Sequence, residues 1–228
     1  VRTIKGLGKY HQAKAQKLDV ENRTVNCREI FSGDTFDINY DFLVISAGCK
    51  TNTFAVPGVT QEQQSTVFFL KHLYHARRIR DRILECFERA ASPVASEEER
   101  RDLLHFVVVG GGATSCEFAT ELSEFLEKDV RKWYPDLADL VSCSIVEAGD
   151  HLLAGFDESC WRYYTKHLRE HKVDVRTGCA ITSVDPADDG RVSSATMANG
   201  TTMKFGCMVA TRVEIKSSRR VRPESSRR

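Results

Sequence analysis

The chain has 228 residues, enough for one large domain or two small ones. Apolar residues make up 41% and charged residues 29%, a composition that can bury a core and that excludes collagen-like, mucin-like and wholly disordered chains. The sequence holds 33 basic and 32 acidic side chains, and this balance argues against a nucleic-acid-binding protein. No stretch approaches the roughly 20 apolar residues of a membrane-spanning helix.

The eight cysteines lie far apart along the chain, with no C-x-x-C pair and no histidine at ligand spacing. A chain long enough to build its own core needs no disulfide framework. We therefore expect reduced, mostly buried thiols and no metal site.

The first 60 residues contain two kinds of strand pattern. Residues 9–39 alternate short strands with polar turns. Residues 40–48 form a continuous apolar run that ends in Ala47 and Gly48, which predicts a strand buried on both faces of a parallel sheet. A loop closed by Pro57 and Gly58 follows.

Two helices are predicted before residue 105. Residues 70–90 have apolar side chains at three- and four-residue steps, surrounded by arginines. Those arginines either bind phosphate or form a solvated face paired with Asp81 and Glu85, and the second interpretation is favoured. Ser96 and Glu99 have the spacing of a capping box, which predicts a short helix to about residue 104.

A buried strand at residues 105–109 runs directly into three glycines and then into an amphipathic helix. A pyrophosphate needs backbone N–H donors at close range, and glycines let the main chain approach it. Gly110 supplies the tight turn and Gly112 the close approach. The third small position is Ser115, which is either tolerated or pushes the helix outward.

A second strand, residues 143–146, ends at Glu147. A carboxylate at that position accepts the ribose hydroxyls of an adenosine and repels the 2′-phosphate of NADPH. The separation from Gly110 exceeds the roughly 20 residues of the compact motif. Residues 128–141 must therefore form a loop or a helical extension.

The remaining elements complete an alternating α/β pattern. A helix starts near Asp157, a plausible N-cap, and a third strand covers residues 173–176. Residues 181–205 predict a small antiparallel meander, and residues 207–210 a fourth buried strand. Residues 212–228 are predicted to be a disordered basic tail.

Residues 104–122 resemble the NADH-binding motif of type II (alternative, non-proton-pumping) NADH:ubiquinone oxidoreductases, within the pyridine nucleotide-disulfide oxidoreductase superfamily. Residues 40–48, 52–54, 57–59 and 69–71 resemble further segments of that family, in the same order along the chain. The similarity extends over most of residues 9–211.

The resemblance implies an α/β flavoprotein in which a Rossmann-like NADH-binding domain is inserted in an FAD-binding domain. Here that gives a partial FAD-binding domain at residues 1–60 and an NADH-binding domain at residues 61–211. Hydride would pass from NADH to FAD, and the reduced flavin would reduce a membrane quinone, so the implied enzyme is an FAD-dependent NADH:quinone oxidoreductase. The implied location is the mitochondrial inner membrane, as a peripheral protein.

The resemblance also implies site residues. Glu117 would lie near the nicotinamide–flavin junction as a catalytic residue, although a first-turn glutamate also complements a helix dipole. Ala47 and Gly48 would approach the FAD. The residues implied to hold NADH are Gly110, Gly111, Gly112, Ala113, Thr114, Glu147 and Ala210.

The chain departs from the family in several places. It lacks the first FAD-binding glycine motif, it reads Ala113-Thr114-Ser115 where the family has Pro-Thr-Gly, and it has Arg212 where a glycine is expected. It contains no visible targeting segment. We therefore interpret it as a fragment and expect it not to reduce quinone by itself.

Three alternatives stay open: an NADH-binding remnant without flavin, another FAD/NAD-dependent reductase of the superfamily, and an interaction protein with a vestigial glycine turn. The expected partners are NADH and, in the intact protein, a quinone and a membrane surface. Both a monomer and a homodimer are compatible with the sequence.

Overall fold

The computed structural model describes residues 8–48, 50–51, 56–59, 65–186, 189–211 and 213–214. The chain divides into two units, residues 1–48 and residues 49–228. The domain bounds inferred from sequence stay a prediction. The predicted basic tail at 212–228 lies outside the described residues, except for Val213 and Glu214.

The first unit contains an antiparallel meander of β1 (Ala13–Asp19), β2 (Thr24–Glu29) and β3 (Thr35–Asn39), in that order. Its register pairs Ala13 with Glu29 and Thr24 with Asn39. The predicted short strands between residues 9 and 39 are confirmed.

The predicted buried strand at residues 40–48 is wrong. The segment has no strand conformation, and Phe42 is 95% and Val44 88% exposed. A strand requires hydrogen-bonded neighbours, and no described strand pairs with this run. Gly48 has φ +71°, a left-handed conformation that does not belong to a strand. The apolar pattern of residues 40–48 was therefore not sufficient to predict a strand.

The second unit contains ten described strands. In chain order they are β4 (Lys50–Thr51), β5 (Val67–Phe69), β6 (His105–Val109), β7 (Ser142–Val146), β8 (Val173–Arg176), β9 (Ile181–Asp185), β10 (Ser193–Met197), β11 (Thr202–Phe205), β12 (Cys207–Ala210) and β13 (Val213–Glu214). The strands β5, β12, β6, β7 and β8 form a parallel sheet in that order. The strands β9, β10 and β11 form the predicted antiparallel meander, and β4 pairs with β13.

The order of the parallel strands reverses beside β6. The chain steps from β6 to β7 to β8 in one direction, whereas β12 lies on the opposite side of β6. Val109 at the end of β6 is in register with Val146 of β7 and with Ala210 of β12. The crevice between β6 and β12, at the carboxyl ends of the strands, is the position where open α/β sheets bind ligands.

Five described α-helices accompany these strands: α1 (Leu73–Ala90), α2 (Glu97–Leu103), α3 (Ala113–Phe125), α4 (Arg131–Trp133) and α5 (Glu158–Glu170). Ser96 caps α2 by accepting a hydrogen bond from the Glu99 backbone at 3.1 Å. Asp157 is the N-cap residue of α5, as predicted, but its side chain makes no cap bond. None of the helices in the described part of the chain combines the length and apolar character needed to cross a membrane.

The long separation between Gly110 and Glu147 is filled by helix. After α3 the chain continues through a π-helical turn, Leu126–Val130, then α4, and then a 3₁₀ segment, Pro135–Leu140. Of the two forms expected for this segment, a loop or a helical extension, the structure has the helical one.

The parallel sheet is covered on both faces. One apolar cluster joins α1 and α3 to the sheet through Phe87, Phe106 and Ile145. A second cluster joins the meander to the sheet through Phe205 and Met208. Burial on both faces explains why the strands read as continuous apolar runs.

Seven cysteines lie in the described part of the chain, and all are free thiols. Five are buried, Cys179 is half-buried and Cys160 is exposed, so the expected mostly buried thiols are confirmed. Burial raises the pKa of Cys86 to about 11 and that of Cys143 to about 12. Because the thiolate is the reactive form, these two thiols are inert.

The predicted solvated arginine face of α1 is confirmed only in part. Arg80 pairs with Asp81 and Arg89 with Glu85 at the surface. Arg82 also pairs with Glu85 at 3.1 Å, but it is buried and donates to the carbonyl of Gly206 at 3.0 Å and to that of Arg191. This guanidinium joins α1 to the meander, a contact between elements that the sequence pattern did not predict.

His105 at the start of β6 is a half-buried imidazole with two partners. Its Nδ1 lies 2.7 Å from the carbonyl of Lys204 and its Nε2 2.8 Å from Oγ of Ser144. Because the carbonyl can only accept, Nδ1 carries the hydrogen and neutral Nε2 accepts from the serine. Burial lowers the pKa of His105, and the positive charge of Arg176 lowers it further. The negative charges of Asp174 and Asp102 act in the opposite direction and raise the pKa, but the net shift is downward.

We expect His105 to make the free energy of unfolding depend on pH. The unfolded state takes up a proton near pH 6.5 and the folded state only at lower pH, so stability is present above 6.5 and is lost as the pH falls below it. His105→Gln should be about 1 kcal/mol less stable at pH 7.5, and this gap should narrow by pH 5.5. Urea unfolding of both proteins at the two pH values measures the gap, and a gap that widens in acid contradicts the assignment.

Candidate dinucleotide-binding site

The glycine turn lies between the end of β6 and the start of α3. Gly110 has φ +107°, and its N–H donates to the carbonyl of Val146 at 2.8 Å. Gly112 is the N-cap residue of α3, with φ −76° and ψ 170°. The first N–H groups of a helix have no partner within the helix, so they are available to an anion placed beyond Gly112.

Glu147 contacts the glycine turn directly. One carboxylate oxygen accepts a hydrogen bond from the N–H of Gly111, and the other accepts from the N–H of Gly149 at 2.7 Å. The main chain of Glu147 donates to the carbonyl of Arg176 at 2.9 Å and accepts from Cys179 at 3.0 Å. The two sequence features thus meet at one edge of the sheet, and the carboxylate is fixed from both sides.

Gly111 is the position in this turn where a side chain has no room. An added Cβ would lie 2.8 Å from Cγ of Glu147 and 3.0 Å from a methyl carbon of Leu152. The carbonyl of Gly111 also accepts from the N–H of Leu153 at 2.6 Å, which holds the turn against that loop. At Gly112, by contrast, an added Cβ would meet nothing within 4 Å.

Gly111→Ala is therefore expected to destabilise the protein by roughly 1–3 kcal/mol, the usual cost of forcing a methyl group into a packed site. Gly112→Ala, its neighbour in the same turn, serves as the control and should lose less than 1 kcal/mol. Thermal unfolding of both variants gives the comparison. Equal losses would show that the space beside Gly111 can relax without cost.

Ser115 is accommodated inside the fold. Its side chain is fully buried, and its hydroxyl forms a hydrogen bond with the hydroxyl of Thr211, which is also buried. Of the two expectations for this serine, tolerance is the one that agrees with the structure. Cys116 is buried next to it, and burial together with the charges of Glu117 and Glu147 raises the pKa of this thiol to about 12.

An apolar cleft of about 240 Å³ adjoins the turn at the carboxyl ends of β5, β6, β7 and β12. Gly110, Glu147 and Ala210 border it. The sequence did not single out its other walls, which come from segments far apart in the chain: Val56, Val59, Val67, Phe69, Val109, Val146, Ala148, Cys179, Ala180, Ile181 and Met208. Val109, Val146 and Met208 lie in predicted strands, whereas the walls at residues 56–69 belong to no strand that the sequence predicted.

The remaining predicted residues do not border this cleft. Ala113 and Thr114 are exposed in the first turn of α3, beside Gly112, and Glu117 is exposed further along the helix. Ala47 and Gly48 are exposed in the first unit. The structure therefore brings together the glycine turn, Glu147 and Ala210.

The family model described as pyridine nucleotide-disulphide oxidoreductase matches residues 3–212. The chain belongs to the pyridine nucleotide-disulphide oxidoreductase family.

Similar members of the pyridine nucleotide-disulphide oxidoreductase family include two external enzymes of mitochondria. The external alternative NAD(P)H-ubiquinone oxidoreductase B1 of Solanum tuberosum is 41% identical over 180 residues, which cover 77% of this chain and 30% of that protein. The external NADH-ubiquinone oxidoreductase 2 of Saccharomyces cerevisiae is 35% identical over 183 residues, which cover 78% of this chain and 33% of that protein. The chain thus spans about a third of the length of these relatives.

Among solved structures of similar fold is NDH2 from Plasmodium falciparum in complex with NADH. It superposes with a TM-score of 0.72 at 28% sequence identity, over 89% of this chain and 40% of that one. The α/β fold with a parallel sheet agrees with the fold class predicted from sequence.

Proposed function

We propose that this chain binds NADH at the carboxyl edge of the parallel sheet. The observation that carries the proposal is the contact between the carboxylate of Glu147 and the backbone of Gly111, at the point where the strand order reverses. A ligand in that crevice meets a bare main chain on one side and a fixed negative charge on the other.

The glycine turn would hold the pyrophosphate. Gly112, Ala113 and Thr114 are exposed at the start of α3, and no side chain of the turn covers its N–H groups. Their partial positive charge and the helix dipole favour an anion there. The open space around Gly112 is what lets the phosphate oxygens approach the main chain.

Glu147 would select NADH over NADPH. Its carboxylate is held by two backbone N–H groups, so it cannot easily turn away from the adenosine ribose. Accepting the two ribose hydroxyls leaves no room for a 2′-phosphate, whose charge the carboxylate repels. The apolar cleft beside Gly110 and Ala210 suits the uncharged parts of the dinucleotide.

For the intact protein we propose an FAD-dependent NADH:quinone oxidoreductase that works as a peripheral protein at the mitochondrial inner membrane. The family membership and the activities of the Solanum tuberosum and Saccharomyces cerevisiae relatives support this proposal. A bound flavin would supply the electron acceptor for the hydride, with Ala47 and Gly48 approaching it and Glu117 near its junction with nicotinamide. The chain's own contribution is to bind NADH and fix its orientation.

A second candidate is that the 228-residue chain binds NADH but does not oxidise it. The observation that favours it is the exposed conformation of residues 40–48, which include Ala47 and Gly48. The two candidates differ in flavin content and in turnover, and they share the NADH site.

Isothermal titration calorimetry of the purified chain with NADH tests the shared site. We expect saturable binding of one NADH per chain. Absence of binding up to millimolar NADH would refute the proposal. Incubation of the 228-residue chain with FAD and removal of excess flavin then tests the second candidate, because retained visible flavin absorbance contradicts it and the absence of flavin supports it.

A further inference from the structure

A buried pair of hydroxyls lies directly beneath the glycine turn. Ser115, in the first turn of α3, and Thr211, directly after β12, form a hydrogen bond with each other. Ser115 is 0% and Thr211 8% exposed, so water does not compete for this bond. The two residues are distant in sequence and sit on opposite sides of the crevice between β6 and β12.

The pair packs against the side of Gly110 that a side chain would occupy. A Cβ added to Gly110 would lie 3.2 Å from Oγ of Ser115 and 3.9 Å from Oγ1 of Thr211. The positive φ of Gly110 and the two hydroxyls therefore define the shape of the turn together. Loss of either hydroxyl leaves a small void below Gly110 and an unsatisfied buried partner.

The turn is held from both sides of the crevice. Toward β7 it is held by the bond from Gly110 to Val146 and by that from Gly111 to Glu147. Toward β12 the side-chain connection is the bond between Ser115 and Thr211, supported by the N–H of Thr211, which donates to the carbonyl of Val109 at 3.4 Å. The hydroxyl pair thus fixes the distance between the start of α3 and the end of β12.

We propose that Ser115 and Thr211 are positioning residues that hold the glycine turn in the shape that accepts a diphosphate. This inference rests on the proposed function. On this proposal Ser115 stabilises the turn and does not push the helix outward. Ser115→Gly should therefore weaken binding of a diphosphate and not tighten it. Both residues are buried beside Gly110, so they would act on a ligand through Gly110 and the first turn of α3.

The test compares Thr211→Val with Thr211→Ser in the full chain. Valine has the shape of threonine without the hydroxyl, whereas serine keeps the hydroxyl and loses a methyl group. The probes are ADP-ribose, which carries the diphosphate, and adenosine, which does not. We expect Thr211→Val and Ser115→Ala each to raise the Kd for ADP-ribose roughly three- to tenfold, the range of one net hydrogen bond, with the Kd for adenosine changed less than twofold. Thr211→Ser should bind ADP-ribose within twofold of wild type.

The double variant Ser115→Ala with Thr211→Val supports the proposal if it is no weaker than either single variant, because the two changes then remove the same interaction. Equal losses of ADP-ribose affinity in Thr211→Val and Thr211→Ser would overturn the proposal, and so would equal losses of affinity for ADP-ribose and adenosine. Either result would show that the two side chains matter only for packing. Unchanged ADP-ribose binding in a folded Ser115→Ala variant would also overturn it. If the wild-type chain binds neither ADP-ribose nor NADH, the proposed function itself is contradicted. This result can be told apart from the outcomes above, which all concern variants of a chain that binds.

Discussion

Gly112→Val is expected to raise the Kd for NADH at least about 100-fold while leaving the fold in place. The branched side chain would stand where the pyrophosphate approaches the start of α3, and the loss of two charge-assisted hydrogen bonds costs roughly 3–6 kcal/mol. The fold should survive because a Cβ at Gly112 meets nothing within 4 Å and because φ at this residue is −76°. Calorimetric titration gives the Kd, and circular dichroism with thermal unfolding shows whether the variant is folded.

Gly155→Val is the matched control for this change. Gly155 is also exposed, an added Cβ there meets nothing within 4 Å, and it borders neither the turn nor the cleft. This control should bind NADH as the wild type does. If Gly112→Val keeps wild-type affinity, the diphosphate is not held at the start of α3.

Glu147→Gln is expected to change the choice between the two nicotinamide cofactors. The wild type should bind NADPH at least tenfold more weakly than NADH, because two like charges about 5 Å apart repel by about 3 kcal/mol at an effective dielectric constant of about 20. The uncharged glutamine should bring the two Kd values within about threefold of each other. The substitution should also weaken the binding of NADH, because a glutamine side chain has one acceptor oxygen and cannot replace both carboxylate oxygens as acceptors for the N–H groups of Gly111 and Gly149.

Asp150→Asn is the control for a general effect of charge. It removes one negative charge from the same loop, and Asp150 bonds to neither Gly111 nor Gly149. The ratio of the two Kd values, measured at low and at moderate salt, should change much less than in Glu147→Gln. Equal or tighter binding of NADPH by the wild type would remove the role assigned to Glu147.

The sequence was sufficient to predict the elements that hold the proposed ligand. The strand at residues 105–109, the glycines after it and the helix that follows are local patterns, so their order alone predicts the turn. Glu147 could be placed beside the turn because carboxyl ends of neighbouring parallel strands meet at one edge of the sheet. The contact with Gly111 follows from that topology.

Contacts between distant segments could not be predicted in this way. The bond from Ser115 to Thr211 and the buried position of Arg82 depend on how β12 and the meander pack against the earlier helices. The strand prediction for residues 40–48 was wrong for a related reason, because an apolar run becomes a strand only where another strand supplies its hydrogen bonds. Local pattern determines which conformations are available, and tertiary partners determine which of them is adopted.

A crystal structure of the chain grown with NADH is the most direct test of the account. We expect electron density for the pyrophosphate at the main-chain N–H groups of Gly112, Ala113 and Thr114, with the adenosine ribose hydroxyls on the carboxylate of Glu147. Density for the dinucleotide at any other surface, or a ribose turned away from Glu147, would contradict it.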